Sequence, residues 1–191
     1  MALQNCILVL GAAASAAVLA ACTHLAPPES VVQLTVQPVI DQDGYQALDV
    51  ELAFRGCDAG STKLLLPDAW GGETQLYKAL RDVHADGATL HLGDTPAERR
   101  LTHAPGQRIT VRYRVRDDVA STPDVPKQDG NNYRPVIKPT HFHVLGNAIV
   151  AQPSCTAQQA KARFALKGLP AGHTFASDLQ HEDTGRLLSF G

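Results

Sequence analysis

After Val31, apolar residues recur at every second position through most of the chain. The stretches "VVQLTVQP", "YQALDVELAFR", "ATLHLGD", "RITVRYRVRDD", "HFHVLGNAIVAQ" and "KARFALKG" all follow this alternation, the period of a strand with one face buried and one wet. Gly, Pro, Asp or Asn punctuates nearly every gap. Short strands separated by turn residues predict an all-β fold, a mostly antiparallel β-sandwich. The clearest strand is Arg108 to Arg116, with Ile109, Val111, Tyr113 and Val115 on one face and Arg112, Arg114 and Arg116 on the other. That arginine row is read as a solvated outer face, or else as a docking surface for an acidic partner. Only "GGETQLYKALRDVHADG" carries helical spacing, through Leu76, Ala79, Leu80 and Val83 with Gly87 as a stop, and it predicts one short helix of about three turns. The segment Asp117 to Thr140 holds four prolines and "DGNN" and is expected to be a long loop.

The N-terminus departs from this pattern. Residues Cys6 to Thr23 are uncharged and almost wholly Ala, Leu, Val and Ile, the mark of a secretion signal or membrane anchor. "LAAC", Leu19 to Cys22, resembles the lipobox of bacterial lipoproteins, in which the peptide is cut before the Cys and that Cys receives lipid. The small Ala20 and Ala21 suit the subsites of a signal peptidase. No Lys or Arg precedes Cys6, so only the α-amino group supplies positive charge there. A retained membrane helix and ordinary cleavage are the alternatives. The expected organisation is a signal peptide over 1–21, a tether over 22–30 kept extended by Pro27 and Pro28, and a β-sandwich over 31–191. Such a protein belongs in the bacterial cell envelope, lipid-anchored and periplasm-facing. Thr23 after the Cys resembles the outer-membrane sorting pattern.

With 191 residues, one core is expected. Seventeen basic against nineteen acidic residues, with no block of like charge, argue against a nucleic-acid partner. An oxidising compartment gives the cysteines a meaning. Cys6 leaves with the signal and Cys22 is lipidated, so Cys57 and Cys155 are read as one disulfide between loops, with two separate thiols as the alternative.

A zinc hydrolase commonly presents H-E-x-x-H on a helix, and "HEDTG" after His181 supplies no second His at that spacing. His141 and His143 would lie on one face of a strand, about 7 Å apart, but no spacing selects a third ligand among His84, His91, His103 and His173. No G-x-S-x-G and no phosphate-binding glycine loop occurs. Asp117 and Asp118 are adjacent and face opposite ways on a strand, so they cannot share one substrate. The residues themselves therefore predict a domain with no catalytic residues, no metal and no cofactor.

Four pieces in order carry a family resemblance: Leu66, Pro67 and Trp70; then Val111, Tyr113 and Val115; then Tyr133, His141 and Phe142; and lastly Leu169, Pro170 and Gly172. Together they resemble the N-terminal domain of the glycyl-aminopeptidase family of zinc metallopeptidases, peptidase family M-sixty-one. The resemblance implies a β-sandwich that precedes a thermolysin-like catalytic domain carrying H-E-x-x-H. That motif is absent here, so peptidase activity is carried over to no residue, and His141 and His143 are expected to be structural or interfacial. The leading expectation is a non-catalytic scaffold or docking domain for a separate catalytic domain, the chain being truncated, split or a stand-alone relic. An independent lipoprotein that binds a peptide or another envelope component is the second. A small metal-dependent enzyme using His141 and His143 is the third. Trp70, Tyr133 and Arg134 are the expected partner interface, because aromatic and Arg side chains dominate interface centres and Pro135 stiffens the loop. For Trp70 alone, the competing expectation is an indole that plugs one end of the sandwich.

Overall fold

The computed structural model describes residues 32–118, 133–156, 162–177, 180–182 and 187–190. The signal segment, Cys22, the tether and the middle of the proline-rich segment, 119–132, lie outside the described residues. The longest strands form the centre of the fold: β1 (Val32–Asp41), β2 (Gly44–Arg55) and β7 (Arg108–Val115). With β4 (Leu80–Asp86), β11 (Ala162–Leu166), β12 (Gln180–Glu182) and β13 (Leu187–Phe190) they make a seven-stranded sheet in the order β12-β13-β11-β1-β2-β7-β4. A four-stranded sheet runs β10-β3-β6-β5, from β3 (Ser61–Leu65), β5 (Thr89–Leu92), β6 (Glu98–Thr102) and β10 (Gln152–Pro153). A hairpin of β8 (Val136–Lys138) and β9 (His141–His143) stands apart. The expected mostly antiparallel, all-β architecture is what the chain adopts; of the pairings among these strands, β1 with β11 is parallel.

Alternation builds the core directly. Across β2 and β7, Leu48, Val50, Leu52 and Phe54 face Val115, Tyr113, Val111 and Ile109, and all eight are buried. Leu64 and Leu101 of the smaller sheet join the same cluster, so the two sheets close over one core. The Tyr113 hydroxyl inside it is not an orphan, because it donates to the Ile149 carbonyl at 2.8 Å and accepts from the Ala151 amide at 3.3 Å. Burial pushes its phenol pKa well above the ordinary value, which keeps the donor proton in place.

On the other face of the same pair, Asp49 sits opposite Arg114 and Glu51 opposite Arg112. Arg114 Nε donates to Asp49 at 2.7 Å and Arg112 Nε to Glu51 at 2.9 Å, and Arg112 also reaches Asp86. The arginine row is therefore a solvated face neutralised strand by strand. This favours the first of its two readings over docking of an acidic partner, since Arg112 and Arg114 already have acidic neighbours.

Three local expectations are corrected. The predicted three-turn helix is a single 3-10 turn, Leu76–Ala79, followed by β4. The cause is an irregularity in the β4–β7 ladder between Arg81 and His84, with Asp82 at φ 55°. The one extra residue there lets Leu80 and Val83, three apart, both face inward, which imitates helical spacing. Secondly, the strand expected across "HFHVLGNAIVAQ" ends after His143. A one-turn helix α1 (Gly146–Ile149) then buries Ala148 and Ile149 against the core. Thirdly, the far end of the expected loop Asp117 to Thr140 is not loop, because Val136–Lys138 pairs with β9.

The small hairpin meets the large sheet at the start of β2. Tyr45 N donates to the Pro139 carbonyl at 3.0 Å, and at Gly44, φ 101°, a Cβ would lie 2.1 Å from that carbonyl oxygen. Only glycine permits this approach. In the smaller sheet, Lys63 Nζ donates to Glu98 at 2.9 Å and holds that carboxyl below the usual glutamate value against the opposing pull of burial. A folded-state pKa below the unfolded one stabilises above the ordinary glutamate range, and the contribution is lost as pH falls through the lowered value. Lys63→Met is therefore expected to lower the melting temperature at neutral pH, with the gap to wild type closing as thermal melts are taken down to about pH 3. A gap that stays constant with pH would show that the pair does not couple to stability.

Candidate functional site

One end of the molecule gathers the residues singled out as an interface. Trp70 lies in the turn after β3 and is bridged to Glu73 by two backbone hydrogen bonds, Trp70 N to Glu73 O at 3.1 Å and Glu73 N to Trp70 O at 2.9 Å. Its indole is 48% exposed, so it does not plug the sandwich. The Tyr133 ring packs over Gly71, where a Cβ would come within 2.5 Å of the ring. That close approach, at φ 58°, explains a glycine next to the tryptophan better than any phosphate loop would. Arg134 has a different place from the one expected. Its side chain is 11% exposed, pairing with Glu73 at 2.9 Å and with Asp118, and donating to the Thr74 carbonyl at 2.6 Å. The guanidinium is the internal clamp of this end, and Trp70 is its outward-facing group. Asp117, the neighbour of Asp118, turns the other way to meet Lys138 at 2.9 Å and the Ile137 amide at 3.2 Å.

Trp70→Ala is expected to change stability by no more than about 1 kcal/mol, as for other exposed side chains, and thermal denaturation checks this. A loss of several kcal/mol would return the indole to the core.

Cys57 and Cys155 are joined in a disulfide with Cα atoms 5.5 Å apart. It ties the turn after β2 to the turn after β10. The buried Thr62 hydroxyl backs this corner: its oxygen accepts from the Cys57 amide at 2.9 Å and it lies 2.8 Å from His103 Nε2. His103 Nδ1 is 2.8 Å from the Ala104 carbonyl, an oxygen that only accepts. A proton therefore sits on Nδ1.

His141 and His143 lie on β9 with exposed side chains. Among the described residues, no group of three or more His, Cys, Asp and Glu is placed to hold a metal ion. Both do, however, line a cleft of about 540 Å3 between the hairpin, the core face of β1 and β11, and the segment Leu169 to Ser177. In that cleft Tyr45 Oη and His173 Nδ1 are 2.5 Å apart, and Tyr45 meets Phe142 edge to face at 5.4 Å between centroids. His173 and Tyr45 are separated by 128 positions, and no periodicity links them; the sequence named His173 only as one of four candidate third ligands, and gave Tyr45 no role.

No protein-family model matches the chain, and no curated protein matches it in sequence. Among solved structures, an aminopeptidase N family protein from Idiomarina loihiensis superposes with a TM-score of 0.55 at 14% identity, over 73% of this chain and 22% of that one. An M1 zinc metallopeptidase from Deinococcus radiodurans gives a TM-score of 0.33 at 14% identity, over 84% of this chain and 37% of that one, too low to support an argument. The likeness to the Idiomarina protein is one of fold, and this chain spans about a fifth of that protein's length.

Proposed function

We propose that the chain is a lipid-anchored, periplasm-facing β-sandwich that acts as a non-catalytic domain of an aminopeptidase-like assembly, docking a zinc-bearing catalytic domain at its Trp70 end. The observation that carries this reading is the fold shared with a stretch of an aminopeptidase N family protein several times longer. It is supported by the order of motifs that resembles the N-terminal domain of glycyl-aminopeptidases, and by an indole held outward on a turn that is itself clamped from inside by Arg134. An exposed aromatic on a rigid base loses little entropy on association.

The test is association of the full-length protein with a separately expressed H-E-x-x-H catalytic domain, measured by calorimetry. Wild type should bind, and Trp70→Ala should bind more weakly with an unchanged melting temperature; equal affinities would remove Trp70 from the interface. Anchoring is tested separately. Lipid can attach only through the Cys22 thiol, so Cys22→Ala should leave the precursor uncut or release the protein from membranes, as read by labelled palmitate and fractionation. Normal maturation of that variant would refute lipidation. The second reading, an independent binding lipoprotein, is favoured by the cleft beside His173.

A further inference from the structure

The cleft has an unusual inventory. Its floor is the core face of two central strands, Leu34 and Val36 of β1 and Phe164 and Leu166 of β11. Among the described residues no Asp, Glu, Lys or Arg lines it, yet three of the chain's eight histidines do: His141, His143 and His173. His173 Nδ1 is engaged by the Tyr45 hydroxyl, which leaves Nε2 as the nitrogen available to a ligand. The His143 ring makes no hydrogen bond among the described residues, and His141 meets only its neighbour Thr140, at 3.1 Å. At about 540 Å3, the cleft falls within the range of small-molecule sites, which pair an apolar lining with a few convergent polar groups.

We propose that this cleft binds a single-chain carboxylate amphiphile, a free fatty acid in its simplest form. The hydrocarbon chain lies along the β1 and β11 floor, and the carboxylate sits among the three histidines. Imidazole N–H groups donate to a carboxylate, and no acidic side chain among the described lining residues repels one. A peptide cannot be held by strand addition to this floor. Both floor strands are hydrogen-bonded on either side, β1 by β11 and β2, and β11 by β1 and β13. The floor therefore offers no free edge to which an extended backbone could add. The inference rests on the cleft alone and is independent of any catalytic partner.

The full-length protein, held on beads through a C-terminal tag and washed free of detergent, is titrated with radiolabelled dodecanoate and with dodecanol. Wild type should bind dodecanoate saturably and more tightly than the alcohol. The double variant His143→Gln/His173→Gln, exposed at both positions, should lose about tenfold or more in dodecanoate affinity while dodecanol binding is unchanged. Ala176→Trp, placed at the exposed rim of the cleft, should block both ligands. Thermal melts confirm that each variant is folded. Absent saturable binding, equal affinity for acid and alcohol, an unaffected double variant, or an unaffected Ala176→Trp would each overturn the proposal. Tighter binding of the soluble two-chain lipid dihexanoylphosphatidylglycerol would overturn the single-chain assignment. Displacement of dodecanoate by an apolar octapeptide at lower concentration than by unlabelled dodecanoate would assign the cleft to peptides instead.

Discussion

Replacing Arg134 with alanine is expected to destabilise the fold by about 3–5 kcal/mol, the cost of removing one partner from a buried ion pair. The Glu73 and Asp118 side chains it joins are 7% and 8% exposed, so the variant leaves two carboxylates in a poorly solvated place without their shared guanidinium. The Thr74 carbonyl loses its donor at the same time. Arg134→Lys should recover only part of the loss, because an ammonium cannot reproduce a planar fork aimed at two carboxylates. Urea denaturation of the three proteins reads the effect as a shift in midpoint at constant slope. A loss below about 1 kcal/mol for Arg134→Ala would mean that water reaches these carboxylates and that the end of the sandwich is not clamped. The same series separates two roles within one cluster: Arg134 carries stability, whereas Trp70 four residues before Thr74 carries little.

Removing the disulfide should have an effect of similar size. Cys57 and Cys155 close a loop with a sequence separation of 98, and a cross-link over about 100 residues is worth about 4–5 kcal/mol through the entropy it removes from the unfolded chain. Cys57→Ser/Cys155→Ser is expected to show that loss in denaturant midpoint, and wild type unfolded in the presence of dithiothreitol should match the variant. The residue-57 amide still donates to the Thr62 hydroxyl, which faces His103, once the bond is gone, so the native corner should survive, and exchange of that amide would report it. Identical midpoints for the oxidised protein and the variant would show that the bridge adds nothing to stability.

What was legible in the sequence follows from locality. Alternation in "ALDVELAF" and "RITVRYRV" assigns β2 and β7 and the inward residues of each, because a strand half-buried on one side must alternate. Their charges, Asp49 and Glu51 against Arg114 and Arg112, pair only once the register is set, which sequence does not specify. The helix reading failed at β4 because an insertion in the ladder and a helical turn both place apolar residues three apart. Trp70 and Tyr133 could be suspected from the neighbouring glycines and prolines. Arg134 looked like a surface residue, since nothing in "NNYRP" reveals that Glu73, 61 positions earlier, comes to meet it. The histidine cleft was illegible for the same reason, as its two halves lie at opposite ends of the described chain.

The parallel pairing of β1 with β11 has a consequence for how the protein is made. Gln33 to Val36 have β2 as an immediate neighbour on one side, but their partners on the other, Arg163 to Leu166, lie about 130 positions further along the chain. Beyond Val36, β2 is the strand paired with it among the described residues, and Pro38, which has no amide proton to offer, lies in that stretch. The earlier part carries no such guard, because its edge is meant to be filled. A newly emerged chain therefore waits with an apolar, pairing-competent strand until Ala162 to Leu166 have been made. The search that closes this gap is long-range and slow. In a crowded population of half-made chains, β1 is the strand through which two copies would first mispair.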